Sequence, residues 1–238
     1  DKCYENNEWI WGYRETDKLG GRDPYSASKA AAEIIFSSFY RSFLSDVDYL
    51  GAATARAGNV IGGGDWAENR IIPDCIRAFN NNESVTIRSP YSTRPWQHVL
   101  EPLSGYLLLA SKLYDDPKRF AGAWNFGPSV TSPLNVEEVT LRAIKHYGKG
   151  DLIIQEPKNG FHEANLLQLN CDKAYQLLDW KPNWTTEETI EETITWYKRY
   201  HQGESAASIT KSQIGKYFSR SQNEKIYLDD KINLEERI

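Results

Sequence analysis

Segments with the three- and four-residue spacing of helix faces alternate along this chain with short apolar runs that read as buried strands. That alternation restricts the fold more than any other feature of the sequence. From Asp23 to Phe43, Tyr25, Ala32, Phe36, Phe39, Tyr40 and Phe43 recur at helical steps, behind Asp23 as N-cap and Pro24 at the first helical position. Ala52 to Ile61 is small and apolar with little alternation, as a buried parallel strand would be. The same reading predicts helices over Ile71 to Asn80, Val99 to Tyr114, Val136 to Tyr147, Cys171 to Leu178 and Thr186 to His201. Strands are expected at Val85 to Arg88, Trp124 to Phe126 and Leu152 to Gln155. Thr185 and Glu188 form a capping-box pattern ahead of a stripe of Ile190, Ile194, Tyr197 and Tyr200. The result is an α/β fold with a mainly parallel sheet. After Gly203 the chain turns polar, and a loosely attached helix or a disordered end is expected there.

Length and charge bound the function. A chain of 238 residues supports one large domain or two small ones with a real core. A net charge of -5 and a pI near 5.5 give no basic footprint, so nucleic acid is not expected as a partner. The apolar stretches fall well short of a bilayer span and no charged-then-apolar leader opens the chain, so no membrane partner is expected. Cys3, Cys75 and Cys171 are odd in number and far apart, which fits a reducing, cytoplasmic compartment. The absence of Met and the opening at Asp1 lead to the expectation that this is the inside of a longer chain.

Three groups of residues carry chemical meaning. Tyr25 and Lys29, in Tyr25-Ser26-Ala27-Ser28-Lys29, are separated by about 6 Å of helical rise, so both project from one face. An ammonium beside a phenol favours the phenolate, a base able to take a hydroxyl proton near neutral pH. The spacing also arises by chance in ordinary helices, but here it follows a polar loop at a helix N-terminus. Gly62 to Ala67 fits the dinucleotide pattern G-x-G-x-x-[GA] after a strand. That pattern requires a helix opening on its third small residue, whereas Glu68-Asn69-Arg70 leads to Ile71-Ile72-Pro73 with no apolar stripe before the proline. A surface turn, or a loop around some other ligand, is the better reading. Arg56, Arg70, Arg88 and Arg94 sit near strand ends, and guanidinium forks suit a diphosphate; ordinary surface ion pairs are the alternative. His98 and His162 stand alone and read as structural, and His162-Glu163-Ala164-Asn165 lacks the spacing of a zinc motif, so no metal is expected.

The Tyr25–Lys29 pair, taken with Asp1-Lys2-Cys3-Tyr4, resembles the extended short-chain dehydrogenase/reductase superfamily. The runs DKCYENNEWIWGYRE, DPYSASKAAAE, ARAGNVIGGGDWAENRIIPD, RPWQHVLEPLSGY, WNFGP and HEANLLQLNCDKA are similar to the CDP-glucose 4,6-dehydratase family, and the resemblance runs to about Ser219. It implies part of a Rossmann-like doubly wound parallel sheet with a smaller α/β substrate-binding domain. Residues 1–62 and 96–128 would be the remainder of an NAD-binding domain, 63–95 and 129–203 a sugar-nucleotide-binding domain, and 204–238 a polar C-terminal tail. Relatives begin with a glycine-rich NAD loop well upstream of this start. The chain is therefore expected to correspond to roughly the later two-thirds of a family member, and to be inactive alone.

The resemblance also implies roles. Tyr25 would take the proton of the glucose 4-hydroxyl as hydride leaves C4 for NAD, and Lys29 would bind the nicotinamide ribose. Lys2, where most relatives carry Glu, would remove the C5 proton, and Asp1 would protonate the departing 6-hydroxyl. Lys2 must then give up its charge easily and Asp1 must keep its proton. Asn59, Arg70, Ile71, Arg88 and Arg94 would surround the nucleotide diphosphate, with the Gly62–Ala67 loop on the substrate side. Ala164 stands where many related dehydratases have an arginine nearby, which leaves more of the diphosphate charge to Arg70 and Arg94. The implied function is NAD-dependent conversion of CDP-glucose to CDP-4-keto-6-deoxyglucose by a homodimer, of the kind that feeds deoxysugar and surface-polysaccharide synthesis. Another sugar-nucleotide dehydratase, a 4-epimerase and a non-catalytic sugar-nucleotide-binding fragment are the alternatives.

Overall fold

The computed structural model describes residues 1–128, 133–155 and 166–235, with side chains placed to residue 220. In chain order the first elements are α1 (Pro24–Phe39), β1 (Ala53–Ala57), β2 (Val60–Ile61), α2 (Ile71–Asn81), β3 (Val85–Ile87), β4 (Thr93–Arg94) and β5 (Gln97–His98). They are followed by α3 (Leu100–Asp115), β6 (Gly122–Phe126), β7 (Leu134–Asn135), α4 (Val136–Tyr147), β8 (Leu152–Ile154), α5 (Asp172–Leu178), α6 (Thr186–His201) and α7 (Ala206–Glu235). The strand pairs β1–β6, β2–β5 and β3–β8 are parallel and β4–β7 is antiparallel, so the architecture is α/β with mainly parallel pairing.

Local signals explain most boundaries. Asp23 accepts hydrogen bonds from Tyr25 N (2.9 Å) and Ser26 N (3.0 Å), a cap of about 1 kcal/mol, and Pro24 fills the first helical position. The predicted helix to Phe43 changes character at Tyr40, where it continues as a π-helical turn over Tyr40–Leu44. In α4 and α6 the capping boxes of Asn135 with Glu138 and of Thr185 with Glu188 satisfy the first free amides.

The strand expected over Ala52 to Ile61 is instead two strands. A Cβ on Gly58 would lie 2.7 Å from Pro95 Cγ, so the backbone there must pass close to another segment. The strand direction breaks at Gly58-Asn59, and β2 leaves β6 to pair with β5, with Val60 opposite Gln97. This break makes the opening into which several candidate site residues project.

Two apolar clusters hold the chain together. One gathers Ile72, Cys75, Phe79, Val85, Val139, Ile190, Trp196 and Tyr197 from α2, β3, α4 and α6. The other gathers Tyr4, Tyr13, Trp124, Phe126, Leu169 and Trp180 around β6. The segment after Gly203 is less detached than its polarity predicts. Ile209, Gln213 and Tyr217, spaced one turn apart on α7, are buried, and Tyr217 donates to Glu101 Oε2 at 2.7 Å. Glu101 also accepts from Asn183 N (2.9 Å) and Trp184 N (2.7 Å), and burial pushes its carboxyl above the usual range. All three cysteines are free and buried, and burial pushes Cys75 and Cys171 up to about 12, so neither is a nucleophile at neutral pH.

His98 is packed inside, its ring 4.7 Å from that of Trp184 and its Nδ1 accepting from Leu100 N at 3.3 Å. Burial lowers its imidazole to about 4 from an ordinary 6.5. The unfolded chain therefore takes up this proton between pH 6.5 and 4 while the folded chain does not. Stability contributed here is complete above 6.5 and is lost as pH falls through that window, by roughly 3 kcal/mol at most. Urea unfolding at pH 7 and at pH about 4 should show a smaller loss of stability for His98→Gln than for the native chain. An identical loss in both would mean that His98 is not held neutral.

Candidate active site

The N-terminus of α1 delivers Tyr25 to a rim. Gly21 lets the preceding loop lie against the first turn, since a Cβ there would meet Ala27 N at 2.4 Å and Ser26 C at 2.5 Å. One turn on, Lys29 Nζ lies 5.6 Å from the centroid of the Tyr25 ring, so the two side chains do share a face. Tyr25 is 61% exposed.

The first residues of the chain approach from the other side. Asp1 N donates to Ala57 O at 2.9 Å, which places Asp1 and Lys2 at the end of β1, beside the strand break. Cys3 and Tyr4 are buried and anchor this segment. Asp1 Oδ2 is shielded from solvent and has no hydrogen-bond partner among the described residues.

The glycine loop after β2 does not open a helix. Gly63 lies flat on Trp196, where a Cβ would come within 2.0 Å of Cδ2. The Tyr197 hydroxyl accepts from Asp65 N (3.0 Å) and donates to Asp65 O (2.7 Å), so α6 pins the loop. No helix begins until Ile71, which agrees with setting the dinucleotide reading of Gly62 to Ala67 aside. Asn69 adopts a left-handed conformation, φ 62°, and turns the chain so that Arg70 leads α2 toward the opening. Arg70 Nη1 donates to Asp65 Oδ2 at 2.9 Å. Partial burial disfavours the Asp65 charge, but the Arg70 and Ala67 N–H hydrogen bonds outweigh it and hold the carboxyl below its usual range.

These segments enclose an open cleft of about 710 Å³, within the range of small-molecule sites. Asp1, Lys2, Tyr25, Asn59, Arg70, Ile71, Arg88 and Arg94 all line it. Lys29 stands behind Tyr25 and does not line the cleft. Arg94 Nη1 is steadied on Thr93 O at 2.8 Å. Sequence reasoning missed Asp65, Asn69, Asp74, Thr86, Ser89 and Trp96, which line the cleft as well. Only the left-handed asparagine and the proximity of Asp65 to Arg70 in sequence could have signalled any of them. His162, Glu163 and Ala164 lie outside the described residues.

One candidate for anion binding is corrected. Arg56 does not reach the cleft; it is buried, with Nη2 on Glu33 Oε2 (2.7 Å) and Nη1 on Tyr4 Oη (2.7 Å). A guanidinium so engaged is not available to a phosphate. Among the described residues no group of three or more His, Cys, Asp or Glu is placed to hold a metal ion, and no helix is long and apolar enough to cross a membrane.

Solved structures share this fold. A dTDP-glucose 4,6-dehydratase from Bacillus anthracis in complex with NAD superimposes with a TM-score of 0.69 at 20% identity, over 85% of this chain and 60% of that one. A UDP-glucuronic acid 4-epimerase from Bacillus cereus, in complex with UDP-glucuronic acid and NAD, gives 0.69 at 16% identity over 84% and 60%. The fold is that of the extended short-chain dehydrogenases/reductases. Within it, residues 8–193 match the GDP-mannose 4,6 dehydratase family, and the chain belongs to that family. A CDP-glucose 4,6-dehydratase of Salmonella typhimurium is 46% identical over 223 residues, covering 92% of this chain and 62% of that protein. A dTDP-D-glucose 4,6-dehydratase of Dictyostelium discoideum is 32% identical over 47% of this chain and 25% of that protein. The chain thus spans about three-fifths of the length of the first of these relatives.

Proposed function

We propose that the whole protein is an NAD-dependent CDP-glucose 4,6-dehydratase. The observation that carries this reading is the convergence of Asp1, Lys2 and Tyr25 with three arginines, Arg70, Arg88 and Arg94, on one cleft. The identity to a CDP-glucose 4,6-dehydratase supports the choice of nucleotide. Tyr25 lines the cleft and Lys29 stands behind it on the same face of α1, a phenol and an ammonium that suit the ribose of a nicotinamide, so the residues present fit this cofactor. When bound, NAD supplies the site with a hydride acceptor for C4 and a hydride donor for C6.

The chain's own residues do the rest. Tyr25 takes the proton of the 4-hydroxyl, and Lys29, whose Nζ lies 5.6 Å from the centroid of its ring, would hold the nicotinamide ribose. The 4-keto group then acidifies C5, whose proton passes to Lys2. Asp1 gives its proton to the departing 6-hydroxyl, which leaves as water, and Lys2 returns a proton to C5 as C6 takes up hydride. A carboxyl oxygen with neither solvent nor donor is better accommodated on a protonated acid, which suits Asp1 to this role. The diphosphate lies among Arg70, Arg88 and Arg94, beside Asn59 and at the N-terminus of α2, where Ile71 opens a helix whose free amides favour anions. Of the described residues, 1–62 and 96–128 would belong to the cofactor-binding part, and 63–95, 133–155 and 166–203 to the sugar-nucleotide-binding part. Residence in the cytoplasm and self-association through α1 and the π-helical turn that follows it, where Ile35, Phe39 and Phe43 are exposed, complete the proposal.

Assaying the whole protein with CDP-, dTDP-, UDP- and GDP-glucose tests it. CDP-glucose should give a 4-keto-6-deoxy product with kcat/KM at least about tenfold above the others, the size of one lost hydrogen bond to the base. Inversion at C4 without loss of water would make the protein an epimerase, and turnover of another nucleotide in preference would reassign the substrate.

A further inference from the structure

Lys2 and Tyr25 belong to different parts of the chain and enter the cleft from different sides, so their separation must be fixed by something between them. Strand β1 is bonded to both segments, to α1 through Glu33 and to the first residues through Asp1 N on Ala57 O. Its small residues Ala53, Ala55 and Ala57 alternate with Thr54 and Arg56, which therefore share the opposite face. Thr54 Oγ1 and Arg56 Nη2 both donate to the same oxygen of Glu33, at 2.8 and 2.7 Å. Glu33 follows Lys29 by one turn and Tyr25 by two on α1, so this pair of bonds holds the tyrosine-bearing helix against the strand.

The second arm of the same guanidinium reaches the other motif. Arg56 Nη1 donates to Tyr4 Oη at 2.7 Å and to Glu15 O at 3.1 Å, and its plane lies 5.0 Å from the centroid of the Tyr4 ring. Tyr4 is two residues past Lys2, and its hydroxyl donates to Asn125 Oδ1 at 2.7 Å. Asn125 is the register partner of Arg56 on β6, and its amide nitrogen is tied to Tyr13 O (2.8 Å) and Asn170 O (3.1 Å). The side chains of Arg56 and Glu33 are 5% and 13% exposed, so water does not compete for these bonds. A planar fork can hold two acceptors in a fixed relation, which an ammonium cannot.

We propose that Arg56 is a positioning residue: its fork locks the Asp1–Lys2 segment and the Tyr25–Lys29 helix to one strand, and so sets the distance between the two proton-transfer groups. The proposal rests on the roles assigned above to Lys2 and Tyr25. It treats Arg56 as acting through Tyr4 and Glu33, without touching substrate.

Three variants of the whole protein test it: Tyr4→Phe, which keeps the ring and removes the acceptor; Glu33→Gln, which keeps the shape and removes the charge; and Arg56→Lys, which keeps the charge and removes the fork. Each should lower kcat by on the order of 10- to 100-fold, as expected for misplacement by a fraction of an ångström to 1 Å, with KM for the sugar nucleotide within about threefold of the native value. Combining Tyr4→Phe with Glu33→Gln should cost less than the product of the two effects, because both act through one side chain. Without any substrate, amide hydrogen exchange in α1 from Ala27 to Ile35 should quicken in Glu33→Gln and Arg56→Lys, while α4 and α6 keep native rates. Lowered melting temperature with native kcat and native exchange in α1 would overturn the proposal, as would a rise in KM at unchanged kcat. If the native protein turns over no sugar nucleotide, the functional reading fails and the exchange measurement still decides whether the lock exists.

Discussion

Phenylalanine at position 25 stops the proposed reaction at its first step. Turnover of CDP-glucose by Tyr25→Phe should fall by on the order of 10³-fold or more, since a positioned acid–base group contributes about 10² to 10⁴. The substitution is unusually clean in this fold. The cap that starts α1 uses the backbone nitrogens of residues 25 and 26, which the change leaves in place. The ring beside Lys29 also remains, and the side chain is 61% exposed, so no buried hydroxyl is removed. The melting temperature should stay within about 2 °C of native, as for an exposed substitution outside the core. Loss of turnover with unchanged stability then reads on chemistry alone. A kcat reduced by less than about tenfold would assign the 4-hydroxyl proton to another group. A 4-keto hexose nucleotide should not form in this variant, which separates it from a failure later in the sequence.

How far the sequence showed this arrangement varies from residue to residue, for physical reasons. Helices α4 and α6 begin and end where capping residues and apolar periodicity agree, because both signals are local. The break between β1 and β2 is tertiary: Gly58 yields to Pro95, which is distant in sequence, and no local pattern records that approach. Arg56 is the sharper case. As a letter among apolar neighbours it resembles Arg70 and Arg94, and its partner Glu33 lies 23 residues away on a helix whose other faces are largely exposed. Charge type is visible in a sequence; whether the charge is spent on a fold contact or free for a ligand is not. Ile209, Gln213 and Tyr217 did carry a one-turn spacing, but a polar and a phenolic residue among lysines and serines do not read as a buried face until Glu101 and Glu192 are placed opposite them. The cleft residues were legible for a different reason. Tyr25 and Lys29 are a local pair, Arg88 and Arg94 stand out as guanidinium forks near strand ends, Lys2 and Asn59 were found through resemblance, and folding brings all of these but Lys29 to one cavity. Asp65 and Asn69 escaped notice because their importance is conformational: one holds Arg70 and the other turns the chain ahead of it.

Alanine at position 2 separates the two halves of the proposed reaction. Tyr25 is left untouched in Lys2→Ala, so removal of the 4-hydroxyl proton should persist and the 4-keto hexose nucleotide should accumulate on the protein. Abstraction at C5 should fail, and formation of the 6-deoxy product should drop by about 10² to 10⁴. Local anchoring makes this outcome interpretable. The segment is held by backbone and core contacts that do not involve the lysine side chain: Asp1 N to Ala57 O at 2.9 Å, Gly20 N to Cys3 O at 2.9 Å, and the buried ring of Tyr4. Solvent deuterium reports the step directly. The native protein in deuterium oxide should place deuterium at C5 of product or recovered substrate, and Lys2→Ala should place none. Asp1→Asn then serves as the complementary variant, because it keeps the C5 base and loses the proton donor for the leaving hydroxyl. It should exchange C5 deuterium while releasing little water. Were Lys2→Ala to exchange C5 at the native rate, the lysine would be excluded as base. Attention would then move to Asp65 and Asp74, two further carboxylates that line the cleft. Each is paired with a cation, Arg70 and Arg77 respectively, so either must first give up that partner to act. As the proposed base, Lys2 would have to shed its own proton, which covering of its side chain by a bound sugar would favour, since a lower dielectric favours the neutral form. The rate of C5 exchange should therefore rise with pH in the native protein and lose that dependence in Lys2→Ala.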